Sequence, residues 1–194
     1  MDVKGLILLG GQSTRMKQPK HLIEYHDQPQ YLFLHSLLST VCSEVYLSLN
    51  TEQSFYTNQI ISIPDHPLYA QHGPISGIIS AMAKLESTLF VLPCDCPYIN
   101  HKTIEHLFYK RNPESIATVY HNQESGITEP LIGIYEKHGL PQLIHWFEQG
   151  NYSLRHFLDS QPTTFVTPLS NSELISANTP EEMEQAMLFL RSMR

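Results

Sequence analysis

Four short apolar runs, residues 3–9, 45–49, 60–63 and 88–92, are spaced along the first half of the chain, with polar or helically patterned segments between them. Each has the length of a strand and lacks the strict alternation of a half-solvated one. Such runs read as strands buried on both faces, the habit of a parallel sheet. Between them, Tyr31, Leu34, Leu37 and Leu38 carry helical spacing, and Ile75, Ile78, Ile79 and Met82 recur at i, i+3, i+4 and i+7, one apolar helix face. Strand and helix therefore alternate at the rhythm of βαβ units. The predicted class is α/β, with a mostly parallel central sheet covered by helices on both sides in three layers.

The second half is less regular. Ile104, Leu107 and Phe108 predict a helix, residues 116–120 and 131–135 predict strands around a polar turn, and Leu140, Leu143, Ile144 and Phe147 predict a helix ended by Gly150. Residues 153–158 suit a short helix and 163–166 a late strand at a sheet edge. The last helix has the plainest signal: Thr179-Pro180-Glu181-Glu182 places a hydroxyl at the N-cap, proline at N1 and glutamate at N3, a capping box, with Met183, Ala186, Met187 and Leu190 as its buried face. No repeat or linker interrupts the 194 residues, which are expected to form one domain.

The first apolar run stops at Gly10-Gly11, and a hydroxyl-rich turn carrying Arg15, Lys17 and Lys20 follows. Glycines let backbone N–H groups approach an anion, hydroxyls add donors and the cations offset charge, so the composition is that of a phosphate cradle. No carboxylate occurs from Val3 to Ile23, although the formal net charge of the chain is -7. The local field thus opposes the global one. The loop matches neither G-x-x-x-x-G-K-[ST] nor G-x-G-x-x-G.

That net negative charge argues against nonspecific nucleic-acid binding. No stretch reaches the length of a membrane span, the first residues lead straight into a strand, and the odd count of three cysteines suits a reducing compartment, so a cytoplasmic location is expected.

In an open parallel sheet, ligands bind beyond the carboxyl ends of the strands. That rule selects residues 10–20 after the first strand, Ser48 and Asn50 at the end of the second, Asp65 after the third and Asp95 after the fourth. Asp95 stands out, a carboxylate at a strand end between Pro93 and Pro97. One or two carboxylates together with substrate phosphate oxygens suit Mg²⁺. Cys94 and Cys96 lack further cysteines at ligand spacing and read as buried thiols beside the site. The eleven histidines fall into no ligand arrangement such as H-E-x-x-H, and Ser13 has no base at a recognisable spacing.

Four segments together resemble the molybdenum cofactor guanylyltransferase family, within the nucleotidyltransferases that share a Rossmann-like, glycosyltransferase-A-like sheet. They are Leu8-Leu9-Gly10-Gly11-x-Ser13-x-Arg15-Met16 with Lys20, Gly73-Pro74-Ile75-Ser76-Gly77, Pro93-Cys94-Asp95-Cys96-Pro97-Tyr98-Ile99 and Asn178-Thr179-Pro180-Glu181-Glu182. The resemblance implies transfer of GMP from GTP to the phosphate of molybdopterin carrying molybdenum, with release of pyrophosphate and with Mg²⁺ as cofactor. It implies that Leu8, Leu9, Gly10 and Gly11 offer backbone to the nucleotide, that Lys20 contacts phosphate, that Asp65 binds the nucleoside, that Asp95 holds the metal, and that Gly73 to Gly77 form the guanine-side loop. Arg15 and Lys20 would hold the departing pyrophosphate, and Asn178 would face the acceptor. A monomer is expected, meeting molybdoenzyme-maturation proteins only transiently.

The chain departs from the family pattern at Pro19, where an aspartate usually precedes the lysine, at Leu9 in place of alanine, and at Ser48 and Ser176 in place of asparagines. Transfer of another nucleotide such as CMP, a sugar or alditol phosphate acceptor, and a non-catalytic GTP-binding module are the competing readings.

Overall fold

A computed structural model describes residues 2–9, 19–50, 60–123 and 125–193. Seven strands form one sheet: β1 (Val3–Leu8), β2 (Val45–Leu49), β3 (Ser62–Pro64), β4 (Thr88–Pro93), β5 (Ala117–Asn122), β6 (Ile127–Tyr135) and β7 (Thr163–Val166), in the order β3-β2-β1-β4-β6-β5-β7. β1, β2, β3 and β4 run parallel. β6 runs antiparallel to both β4 and β5, and β7 lies at the far edge, parallel to β5.

Helices α1 (Gln30–Leu38), α2 (Pro74–Leu85), α3 (His101–Tyr109), α4 (Leu140–Glu148), α5 (Leu154–Ser160) and α6 (Pro180–Ser192) cover the sheet. Alternate residues of the central strands face different cores. Ile7, Leu47, Phe90 and Leu92 join Leu34, Leu37, Ile104 and Leu107 of α1 and α3 on one side. Leu6, Leu8, Leu89 and Val91 join Ile75, Ile78 and Ile79 of α2 and Phe157 of α5 on the other. Both faces of the strands are therefore apolar, which is why their sequences read as continuous hydrophobic runs. A smaller third cluster sets Ala177 and Ala186 against Ile23 and Tyr25.

Two elements differ from expectation. β3 begins at Ser62 and includes Pro64, opposite Leu49, while Ile61 is exposed. Proline, which lacks an N–H, is tolerated because β3 lies at the edge and, among the described residues, pairs with β2 alone. β6 starts four residues before the predicted 131 and reverses direction against β4. The remaining elements match, including the capping box of α6, in which Thr179 Oγ1 accepts from the N–H of Glu182 and the Glu182 carboxylate accepts from the N–H of Thr179.

Candidate active site

The carboxyl ends of β1 to β4 lie side by side, so residues remote in sequence share one edge. The end of β1 is held from both flanks: the N–H of Leu9 donates to Ser48 O and the N–H of Cys94 donates to Leu8 O, each at 3.2 Å. Leu8 and Leu9 are therefore in place at the middle of that edge. Gly10, Gly11 and Arg15 lie outside the described residues.

Lys20 and Asp95, 75 residues apart, form an ion pair of 3.0 Å between Nζ and Oδ2. Lys20 Nζ also donates to Asn178 Oδ1 at 2.6 Å. The segment that carries Asn178 is tied to the same loop, since the N–H of Ala177 donates to Asp95 O at 2.7 Å. Farther back, the Glu173 carboxylate accepts from Asn100 Nδ2 and Thr103 Oγ1 at the start of α3. Asp95 is thus fixed by the end of β4 and by residues 173–178 crossing over it. The adjacent Cys94 and Cys96 are buried, and burial with the neighbouring Asp95 charge pushes the Cys94 thiol up to about 12 and the Cys96 thiol well above its ordinary value. Both stay neutral, as buried packing thiols do.

Ser48 and Gly77 meet on the other side of β1. Ser48 is buried, and a Cβ at Gly77 would overlap its hydroxyl oxygen, so glycine is what lets α2 approach the end of β2. At the start of that helix Gly73 has φ of 75°, a left-handed conformation that favours glycine, and Pro74 takes N1. The loop before it is fastened by hydroxyls: Ser80 Oγ accepts from the N–H of His66 at 2.8 Å, and Ser76 Oγ accepts from the N–H of His72 at 3.1 Å. This anchoring sets Asp65, whose own N–H donates to Leu49 O at 2.9 Å. Asp65 is 7% exposed, and burial raises its carboxyl to about 6. Three strand spacings, roughly 14 Å, separate the line of β3 from that of β4. Asp65 and Asp95 therefore mark opposite ends of a shallow row rather than one cluster.

The structure adds three residues that sequence reading passed over. Because β6 runs antiparallel with Val91 opposite Gly133, its early residues lie level with the chain beyond β4. Glu129 is thereby brought towards Asp95. Burial raises its pKa, the Arg155 charge opposes that rise and the Asp95 charge adds to it. Tyr25, buried, is likewise raised by burial and then by Asp95. A glutamate inside an otherwise apolar strand was the available signal for Glu129; nothing local marks Arg155 or Tyr25. Among the described residues no three or more His, Cys, Asp or Glu side chains are grouped so that they could hold a metal ion.

A family model described as the MobA-like NTP transferase domain matches residues 5–164, which takes in the carboxyl ends of β1 to β4 and the edge up to Asp95. The chain belongs to the MobA-like NTP transferase family. Like this MobA-like chain in sequence is the probable molybdenum cofactor guanylyltransferase of Halalkalibacterium halodurans, 28% identical over 194 residues that cover 95% of the chain and 98% of the relative. The protein of the same description from Nostoc sp. is 26% identical over 186 residues, 94% and 89% of the two chains. A molybdenum cofactor biosynthesis bifunctional protein of Synechocystis sp. is 28% identical over 183 residues; the match covers 93% of the chain but about half, 52%, of that relative.

Among solved structures, the molybdopterin-guanine dinucleotide biosynthesis protein A of Archaeoglobus fulgidus superimposes with a TM-score of 0.80 at 18% identity, covering 98% of the chain and 100% of the neighbour. The 2-C-methyl-D-erythritol 4-phosphate cytidylyltransferase of Thermus thermophilus does so with 0.68 at 12% identity, covering 98% and 100%. These neighbours show that the Rossmann-like nucleotidyltransferase fold of the MobA-like chain is a shared one.

Proposed function

We propose that the chain is a molybdenum cofactor guanylyltransferase, moving GMP from GTP to the phosphate of molybdopterin and releasing pyrophosphate. The observation that carries this is the Lys20–Asp95 pair at the carboxyl edge of the sheet, a cation and an acid 75 residues apart in sequence, following the neighbouring strands β1 and β4 and brought to 3.0 Å. The family match and the names of the Halalkalibacterium and Nostoc relatives support the choice of substrates.

In the reaction an oxygen of the acceptor phosphate forms a bond to the α-phosphorus. The bond from that phosphorus to the α,β-bridging oxygen breaks, and pyrophosphate leaves with the electron pair. Both reactants are anions, so the protein has to align them and offset their charge, and no protein nucleophile is needed. Lys20 is placed to take the phosphate tail, with Arg15 proposed beside it. Leu8 and Leu9 offer backbone beneath the nucleotide, Ser48 and Gly77 shape the wall towards the base, Gly73 starts the guanine-side turn, and Asp65 accepts from the nucleoside.

The donor set fits Mg²⁺. Asp95 presents Oδ2 to Lys20, while among the described residues Oδ1 meets the weak Cys96 thiol donor at 3.8 Å. A single strand-end carboxylate is what a cation that keeps its waters and binds substrate phosphates requires. Held by Asp95, Mg²⁺ would supply charge neutralisation at the phosphate oxygens.

The test is pyrophosphate release by the purified protein with molybdopterin and a panel of GTP, CTP, ATP and UTP, with and without Mg²⁺. GTP-selective, acceptor-dependent release is expected. Release with CTP instead would reassign the nucleotide, and tight GTP binding without release would favour a non-catalytic GTP-binding module.

A further inference from the structure

Asn178 was expected to face the acceptor, yet its side-chain oxygen is turned to Lys20. Three of its polar atoms have partners among the described residues. Oδ1 accepts from Lys20 Nζ at 2.6 Å, Nδ2 donates to Ser176 Oγ at 2.9 Å, and the backbone N–H donates to Glu182 Oε2 at 2.6 Å. The orientation of the amide follows from chemistry, because an ammonium only donates and its partner must be the oxygen. Ser176, standing where the family pattern has asparagine, then accepts from the amide NH₂ and holds it in that sense. The Glu182 carboxylate belongs to the α6 capping box, so the first turn of the last helix anchors the arrangement.

We propose that Asn178 is a positioning residue for Lys20, acting on the triphosphate side of the reaction, and that Ser176 sets the orientation of its amide. This rests on the reading that Lys20 serves the triphosphate. A lysine ammonium sits on a flexible four-carbon stem and loses much rotational freedom when it is fixed. Asp95 and Asn178 hold it at two points before any nucleotide arrives, using two of its three donors. Among the described residues nothing takes the third, which is proposed for a phosphate oxygen. Preorganisation of that kind improves binding by removing an ordering cost that would otherwise fall on the complex. A residue devoted to the acceptor would leave nucleotide binding untouched; one that positions Lys20 alters it with no acceptor present.

The experiment measures Mg²⁺-dependent binding of GTP, and separately of inorganic tripolyphosphate, by calorimetry without acceptor, for the wild type and for Asn178→Ala, Ser176→Ala and Ser176→Thr. Melting temperature serves as the check on folding. The acylation rate of Lys20 in the free protein, followed by mass spectrometry, serves as a readout that needs no ligand. Asn178→Ala is expected to weaken both ligands about tenfold, ~1.4 kcal/mol, and to speed Lys20 acylation. Ser176→Ala is expected to do so several-fold, and Ser176→Thr, which keeps the hydroxyl, to behave as the wild type. Should Asn178→Ala fail to fold, the two Ser176 variants decide. Unchanged affinity and unchanged Lys20 reactivity in the alanine variants overturn the proposal. Wild-type binding of tripolyphosphate but not GTP would instead sink the guanine assignment, and the variants would still report on Lys20 through the inorganic ligand. If the wild type binds neither, the role of Lys20 in phosphate binding falls and the proposal with it.

Discussion

Replacing Asp65 by asparagine should make the protein more stable and a poorer binder of nucleotide at once. The carboxyl is buried at the end of β3, and burial moves its pKa from 3.8 to about 6. At about 1.36 kcal/mol per pH unit, that displacement corresponds to about 3 kcal/mol of unfavourable charge burial when the group is ionised. Local relaxation and water entry lower the expected gain to about 1–2 kcal/mol. The sign follows from linkage. Between 3.8 and about 6 the folded state binds more protons at Asp65 than the unfolded state does, so stability falls as pH rises through that window. Above it the full penalty stands; below it the penalty is gone. Urea unfolding of wild type and Asp65→Asn at pH 7.5, 6.0 and 4.5 should show the variant more stable at 7.5 and the advantage shrinking towards 4.5. Asparagine preserves shape and leaves the N–H to Leu49 O in place, so packing is held constant. In parallel, GTP affinity at pH 7.5 should drop at least tenfold in the variant, and in the wild type it should weaken as pH falls through about 6. A variant that is less stable at pH 7.5, or an advantage that does not change with pH, would refute the reasoning.

Asp95→Ala should abolish pyrophosphate release while shifting the melting temperature by no more than a few degrees, because its side chain is partly open to solvent; near-normal turnover would remove the metal role. Arg111→Met should destabilise by about 3–5 kcal/mol in urea unfolding, since it removes the counter-charge of Glu136, 2% exposed, whose carboxylate takes Arg111 Nε at 2.6 Å and a second guanidinium nitrogen at 2.8 Å and keeps the neutral Thr88 hydroxyl donor at 2.9 Å. Adding Glu136→Gln should recover much of that loss. Gly77→Ala should cost about 1–3 kcal/mol through the overlap with Ser48 Oγ, and less in a Ser48→Ala background; equal costs in both backgrounds would show that the two do not press on each other.

Much of the parallel half could be read in the chain because it is locally encoded. β1, β2 and β4 are apolar runs bounded by glycine, asparagine or proline, α2 repeats its isoleucines at helical spacing, and Thr179 with Glu182 announces α6. Asp95 was visible for a similar reason, as a charge where an apolar strand ends. The direction of β6 was not, since a hydrophobic strand has the same composition whichever way it runs and only its pairing with β4 and β5 decides. The position of Glu129 level with Asp95 depends on that direction and was hidden with it, although its charge within a largely apolar strand was visible. Nor does any local pattern connect Lys20 to Asn178, 158 residues away. The glycine turn, Arg15 included, lies outside the described residues, so its cradle stands on sequence alone.

The clasp on Asp95 also has a consequence in time. The sheet edge is complete once β4 has paired with β1, but the backbone bond from Ala177 and the side-chain bond to Asn178 come from the last stretch before α6. During synthesis, a nascent chain still holding residues 177–182 inside the ribosome has its strands and its acid but lacks the fastening that aims the lysine. On the proposed role of Lys20, competence to handle a triphosphate waits until residues 177–182 are free to close on it.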